Sequence, residues 1–347
     1  MRVLLAASLL LAFGAVFPAA AVEAPPPVKE LGAERLQIVT PVGNAELPVY
    51  LSRSWDQALS GITRAVIVVH GLSRDADTYF AAAESARANA GEAGQNSLII
   101  APQFLADADI DAYGLPASML RWHWSEWGGG GIAHGPIRLS SFAVIDALLA
   151  RLADRARFPD LAKVVVAGFS AGGQVVQRYA VLGQGEAALA AASIATRYVV
   201  GSPSSYLYFS PERLDESGRI GAFAGAATCP GYNHWRYGFS GALPAYVTDP
   251  PASLEERYVG RDVVYLLGTA DTDPQHRSLD TSCGAEAQGP HRYARGLAYF
   301  RVLQLRHPGT LTQTLWEAPG IAHQGGRVFN SPCGLAALFD QPGCPAR

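Results

Sequence analysis

The chain has 347 residues, 49% hydrophobic and 16% charged, which is enough apolar content for a packed core and excludes a largely disordered chain. Its 27 Lys and Arg stand against 30 Asp and Glu, a net charge of −3, with no block of like charges. With no basic excess to grip a phosphate backbone, the composition argues against a nucleic-acid partner.

The first 21 residues read as an export signal. Arg2 supplies a positive start, residues 3–17 form an apolar run, and Ala19, Ala20 and Ala21 give the small residues of a cleavage site. The run stops at Pro18, short of the ~20 apolar residues that a membrane span needs. The mature chain, 22–347, is therefore expected to be a secreted or periplasmic single domain without a membrane span. Residues 22–29 are proline-rich and read as a flexible entry segment.

Strand and helix patterns then alternate. Residues 35–40 and 47–52 read as two edge strands with a turn around Gly43 and Asn44. The apolar runs 65–69, 98–100, 164–166, 198–200 and 263–267 have the continuous character of strands buried on both faces. Residues 311–316 are the last strand. Helices are expected over 78–90, over 142–152 with Ser140 or Ser141 as its cap, over 174–182 and over 292–306. Residues 103–138 read as irregular, with Trp122, Trp124 and Trp127 assigned to core packing in preference to ligand binding. Strands separated by helices predict an α/β fold, a mostly parallel sheet covered on both faces, with function beyond the carboxyl ends of its strands.

One motif sits at such a strand end. Gly168-Phe169-Ser170-Ala171-Gly172 follows the 164–166 strand and opens a helix, a turn that forces Ser170 into a strained backbone and projects its hydroxyl. A serine hydroxyl needs a base to take its proton. His323, in the loop after the last strand, is the candidate base, whereas His291 and His307 flank a helix and read as capping or surface groups. The acid that orients the base should follow the 263–267 strand, where Asp271 comes first and Asp273 remains the alternative. The N–H groups of Ala171 and Leu72 are the expected oxyanion-hole donors, with His70 packed structurally beneath that loop. No metal or cofactor is expected: the phosphate-loop and dinucleotide patterns are absent, and the cysteines lack metal-ligand spacing.

Cys229, Cys283, Cys333 and Cys344 suit an oxidising compartment, and four cysteines allow three pairings. Spacing does not choose among them, and Cys229–Cys283 with Cys333–Cys344 is the arrangement we expect.

The segments His70-Gly71, Gly168–Gly173, Gly268–Asp271 and Pro319–His323 resemble those of the α/β-hydrolase superfamily, in its order. The resemblance implies a Ser170–Asp271–His323 triad and a cap insertion after the sixth strand, over residues 202–261. The Ser-Ala-Gly-Gly and Gly-Thr-Ala-Asp tetrapeptides also look like those of secreted esterases and polyester depolymerases. His70-Gly71 lacks the extended glycine run of His-Gly-Gly-Gly lipases. The function expected is hydrolysis of a small or polymeric carboxylic ester, with amide cleavage by the same residues or a noncatalytic binding protein as the alternatives.

Overall fold

In the computed structural model, residues 25–344 are described; the export signal expected over 1–21 lies outside them. In chain order they form β1 (Glu34–Thr40), β2 (Gly43–Leu51), β3 (Arg64–Val69), α1 (Ala76–Asn89), α2 (Glu92–Gln95), β4 (Ser97–Pro102) and α3 (Asp107–Tyr113). Next come α4 (Ser141–Leu152), β5 (Lys163–Phe169), α5 (Ala171–Leu182), α6 (Glu186–Ala191), β6 (Ala195–Gly201) and the hairpin β7 (Glu212–Leu214) and β8 (Ile220–Ala222). The remainder is α7 (Pro251–Val259), β9 (Asp262–Gly268), α8 (Cys283–Glu286), α9 (Arg292–Arg306), β10 (Thr314–Ala318), α10 (Gly325–Phe329) and α11 (Pro332–Phe339).

Eight strands make one sheet in the order β1-β2-β4-β3-β5-β6-β9-β10. Only the β1–β2 and β2–β4 pairs are antiparallel. The continuous apolar runs follow from cover on both faces. Along β3, Ala65, Ile67 and Val69 enter one core with α4, α5, α7 and α9, while Val66 and Val68 enter a second core with α1, α10 and α11. The alternation repeats in β5, where Val164 and Val166 oppose Val165, Ala167 and Phe169. α1 is Ala-rich because its buried residues, Ala76, Ala83 and Ala86, lie close to the sheet.

Several expectations change. Only β1 is an edge strand at that end, since β2 pairs with β4 as well, and the turn falls at Pro41-Val42 because Gly43 and Asn44 already pair with Thr40 and Val39. The 103–138 stretch contains α3 and a single 3₁₀ turn at Trp127–Gly129. The last strand begins at Thr314, three residues later than its apolar pattern suggested. From Pro25 the entry segment is tied down: Arg74 donates to the Pro26 carbonyl at 2.9 Å, and the Val28 N–H donates to Asp109 at 2.8 Å. The expected cysteine pairs form, Cys229–Cys283 and Cys333–Cys344. No helix among the described residues is long and apolar enough to cross a membrane.

At the amino ends of the parallel strands, Arg64, Lys163 and Arg197 converge on Asp340 at 2.6, 2.9 and 2.6 Å, pinning the end of α11 beneath the sheet. Burial opposes ionisation of Asp340, but hydrogen bonds from Lys163 and Arg64 hold its carboxyl well below the usual carboxylate range. A depressed carboxyl stabilises the fold above the unfolded-state value of about 4, and that contribution fades as pH falls through the folded-state value. Asp340→Asn should lower Tm at pH 7, and in thermal melts the gap from the parent should narrow steadily below about pH 4.

Candidate active site

β5 delivers Ser170 into a turn with φ 58° and ψ −120°, a region that L-residues rarely occupy. The neighbouring glycines are demanded by backbone contact. A Cβ on Gly168 would lie 2.3 Å from the Gly172 carbonyl oxygen, and one on Gly172 would lie 2.1 Å from the Val69 carbonyl oxygen. The start of α5 is thereby pressed against the end of β3, which carries the His70–Ser73 loop. The Ser170 N–H donates to the Gly201 carbonyl at 2.9 Å, closing the turn onto β6.

The turns after β9 and β10 are stitched together by their backbones. The Ala270 N–H donates to the Ile321 carbonyl, the Thr269 N–H to the Ala318 carbonyl, and the Gly320 N–H to Thr269 Oγ1 at 2.8 Å. This brings Asp271 Oδ2 to 2.7 Å from His323 Nδ1, and His323 Nε2 to 2.9 Å from Ser170 Oγ. Asp271 accepts the Nδ1 proton, which leaves the Nε2 lone pair to accept from the serine hydroxyl. The imidazole lies between the Phe169 ring, 4.7 Å away, and the His276 ring, 5.0 Å away. Asp271 is 3% exposed, so its charge acts in a water-poor setting. Asp273 is exposed, and its carboxylate accepts from the Gln275 N–H instead, holding its own turn.

Of the expected oxyanion donors, neither the Leu72 nor the Ala171 N–H makes a hydrogen bond among the described residues. A Cβ on Gly71 would lie 2.6 Å from Tyr79 Oη, so a side chain there would displace that tyrosine. His70 is fully buried, its Nδ1–H donating to the Gly71 carbonyl and its Nε2 accepting from the Phe104 N–H. Burial pushes this imidazole down to about 4, so it stays neutral near pH 7 and props the loop. Trp127 packs against it at 4.5 Å; Trp122 is equally buried, and Trp124 is half-buried. His291 caps α9 by accepting from the Ala294 N–H, and His307 pairs with Glu255.

Residues 202–261, expected to be an insertion, divide by burial. Ser204 to Tyr208 are buried in the body of the protein, and α7 flanks α5. Between them, aromatic residues use their polar ends as ties: Trp235 Nε1 donates to the Gly129 carbonyl, Tyr246 to Asp146, and Tyr237 to Asp280. The Cys229–Cys283 bridge adds a covalent tie at the same side.

Residues that sequence patterns did not single out complete the surroundings. Arg74 and Asp109 form a pair with both side chains at 0% exposure, linked Nε to Oδ2 at 2.8 Å and Nη2 to Oδ1 at 2.9 Å. The pair holds the far end of the loop after β3, where Arg74 has φ 60°. Arg292 lies behind Asp271, its Nη1 3.7 Å from Oδ1. A sequence hint existed: Arg292 opens a helix, where the positive end of the helix dipole disfavours cations.

No protein-family model matches the chain, and no curated protein matches it. Among solved structures it is similar to poly(aspartic acid) hydrolase-1 from Sphingomonas sp. KT-1, with 21% identity and a TM-score of 0.58 over 90% of this chain and 99% of that one. It is also similar to LpqC, a poly(3-hydroxybutyrate) depolymerase from Bordetella parapertussis, with 20% identity and a TM-score of 0.57 over 90% of this chain and 93% of that one. With its sheet order and helix layers, the chain has the α/β-hydrolase fold.

Asp109→Asn should destabilise the protein by about 3–5 kcal/mol, because it strands Arg74 as a buried cation. Urea unfolding checks this, and a midpoint equal to the parent's would show that the pair contributes nothing.

Proposed function

We propose that the chain is an exported serine hydrolase that cleaves a carboxylic ester through an acyl-enzyme. One observation carries the reading: an unbroken Ser170–His323–Asp271 hydrogen-bond chain, at 2.9 and 2.7 Å, on a strained strand-to-helix turn at the carboxyl edge of the sheet. Ser170 Oγ attacks the carbonyl carbon as its proton passes to His323 Nε2. The oxygen that gains charge is received by the unused N–H groups of Ala171 and Leu72, and Asp271 stabilises the imidazolium. The carbon–oxygen bond to the leaving alcohol breaks, and His323 returns the proton to that oxygen. Water then repeats the attack and frees Ser170.

An ester is favoured over an amide because alkoxide departs with less help than amine. The names of the two structural neighbours place their substrates among polymers, which supports an extended substrate here. The part of the insertion between Phe209 and Pro250 is the proposed cap. Two disulfides support export, since such bonds persist in oxidising compartments.

Ser170→Ala should stay folded and lose about 10³-fold or more of its turnover on p-nitrophenyl esters. A fluorophosphonate probe should label Ser170 alone, as located by peptide mass mapping; labelling of another residue would move the nucleophile. In the same assay Asp271→Asn should cost far more than Asp273→Asn, and the opposite ranking would reassign the acid.

A further inference from the structure

We infer that Arg292 is a positioning residue of this site: its buried guanidinium is the counter-cation of the triad acid, and it holds together the loops on both sides of His323. The inference rests on the proposed hydrolase reading for its catalytic consequence, though not for the contact itself.

Arg292 is the first residue of α9 and its side chain is 0% exposed; that of Asp271 is 2% exposed. Two arms of the guanidinium are committed, Nε to Ser204 Oγ and Nη2 to Ser278 Oγ, each at 3.0 Å. The third, Nη1, makes no hydrogen bond and faces Asp271 Oδ1 at 3.7 Å. A buried cation is tolerated only with compensation, and the helix dipole at this end opposes it further. Arg295, one turn on, donates through Nε to the Gly289 carbonyl and through Nη1 to the carbonyls of Ser204 and Asp280, and its Nη2 makes no hydrogen bond. Asp271 is thus the carboxylate that makes burial of Arg292 tolerable. Burial draws the guanidinium down to about 10, so it remains charged at neutral pH.

Arg292 also reaches the other side of the imidazole. Ser278 Oγ accepts from Arg292 and can donate to His276 Nδ1, 3.1 Å away; the His276 ring lies edge-on to His323. Burial, together with the nearby Arg292 and His323, pushes the His276 imidazole down. The other charged or titratable groups within electrostatic reach are Asp273 from the acid loop, Arg295 and His291 from the start of α9, Tyr79 from α1, and Tyr206 from the segment after β6. Among them Arg292 is the cation that shares the charge of Asp271 at short range.

The sign of its effect follows. A carboxylate shared with Arg292 presents less negative potential to His323. Removing the cation leaves the carboxylate to hold a proton on the imidazole more strongly. Arg292→Gln, which keeps an amide donor and loses the charge, should move the acidic limb of the kcat/KM profile up by about one pH unit. Arg292→Lys keeps the charge and loses the planar fork. It should leave the limb within about 0.3 unit and lower kcat about tenfold.

A lower kcat in Arg292→Gln with an unmoved limb would assign Arg292 to packing alone and overturn the proposal. A second arm needs no Arg292 variant. Asp271→Asn strands the cation, so its Tm should fall by several degrees, and failure to fold is the stronger form of that result. A Tm equal to or above the parent's overturns the pairing. If the parent neither hydrolyses esters nor reacts with the fluorophosphonate probe, the hydrolase reading fails, while the Tm arm still decides whether Arg292 and Asp271 are paired.

Discussion

The close approach of the α5 amino end to the ends of β3 and β5 is the constraint on which the rest of the site depends. Gly172 lies so near the Val69 carbonyl that no side chain fits between them, and Gly168 lies equally near the Gly172 carbonyl. Those contacts leave Ser170 no ordinary backbone conformation. They also bring the first N–H groups of α5 beside the loop after β3, so the proposed nucleophile and the proposed oxyanion donors come from a single packing event. Strain of this kind persists only where the surroundings over-determine it. Here a fully covered sheet with apolar side chains alternating into two cores provides that rigidity.

A second theme is the pairing of cations with single carboxylates. Asp109 receives Arg74 in a full fork, Asp340 gathers three cations beneath the sheet, and Asp271 faces Arg292. In the first two cases the carboxylate ties distant chain segments together: the entry segment to the loop after β3, and the carboxyl-terminal helix to the strand ends. In the third it also holds the imidazole. Both oxygens of Asp271 therefore have an assignment, one toward His323 and one toward Arg292, which suits a group that must keep one orientation.

Much of this was legible in the residues. The apolar runs marked the central strands because both faces are covered, and Gly168–Gly172 marked the turn because only glycine fits there. Of the two candidates after that strand, Asp271 is the one whose carboxylate meets His323. Other features left weak traces. The start of β10 differs because Leu311 continues the apolar pattern outside the strand, and α3 left no trace because Asp107–Tyr113 is short and carries a single large aliphatic residue, Ile110. The proline-rich entry segment read as flexible because its partners, Arg74 and Asp109, lie far away in sequence.

By itself the sequence determined the layered α/β architecture, the order of strand-end motifs and the candidacy of Ser170, His323 and Asp271, because each depends on local periodicity or on steric limits within a few residues. Tertiary structure decided which charges are buried together, how residues 202–261 are tied to the body, and that Arg292 stands behind Asp271. Those outcomes depend on desolvation and on contacts between segments tens to hundreds of residues apart, for which no local pattern of side chains is required.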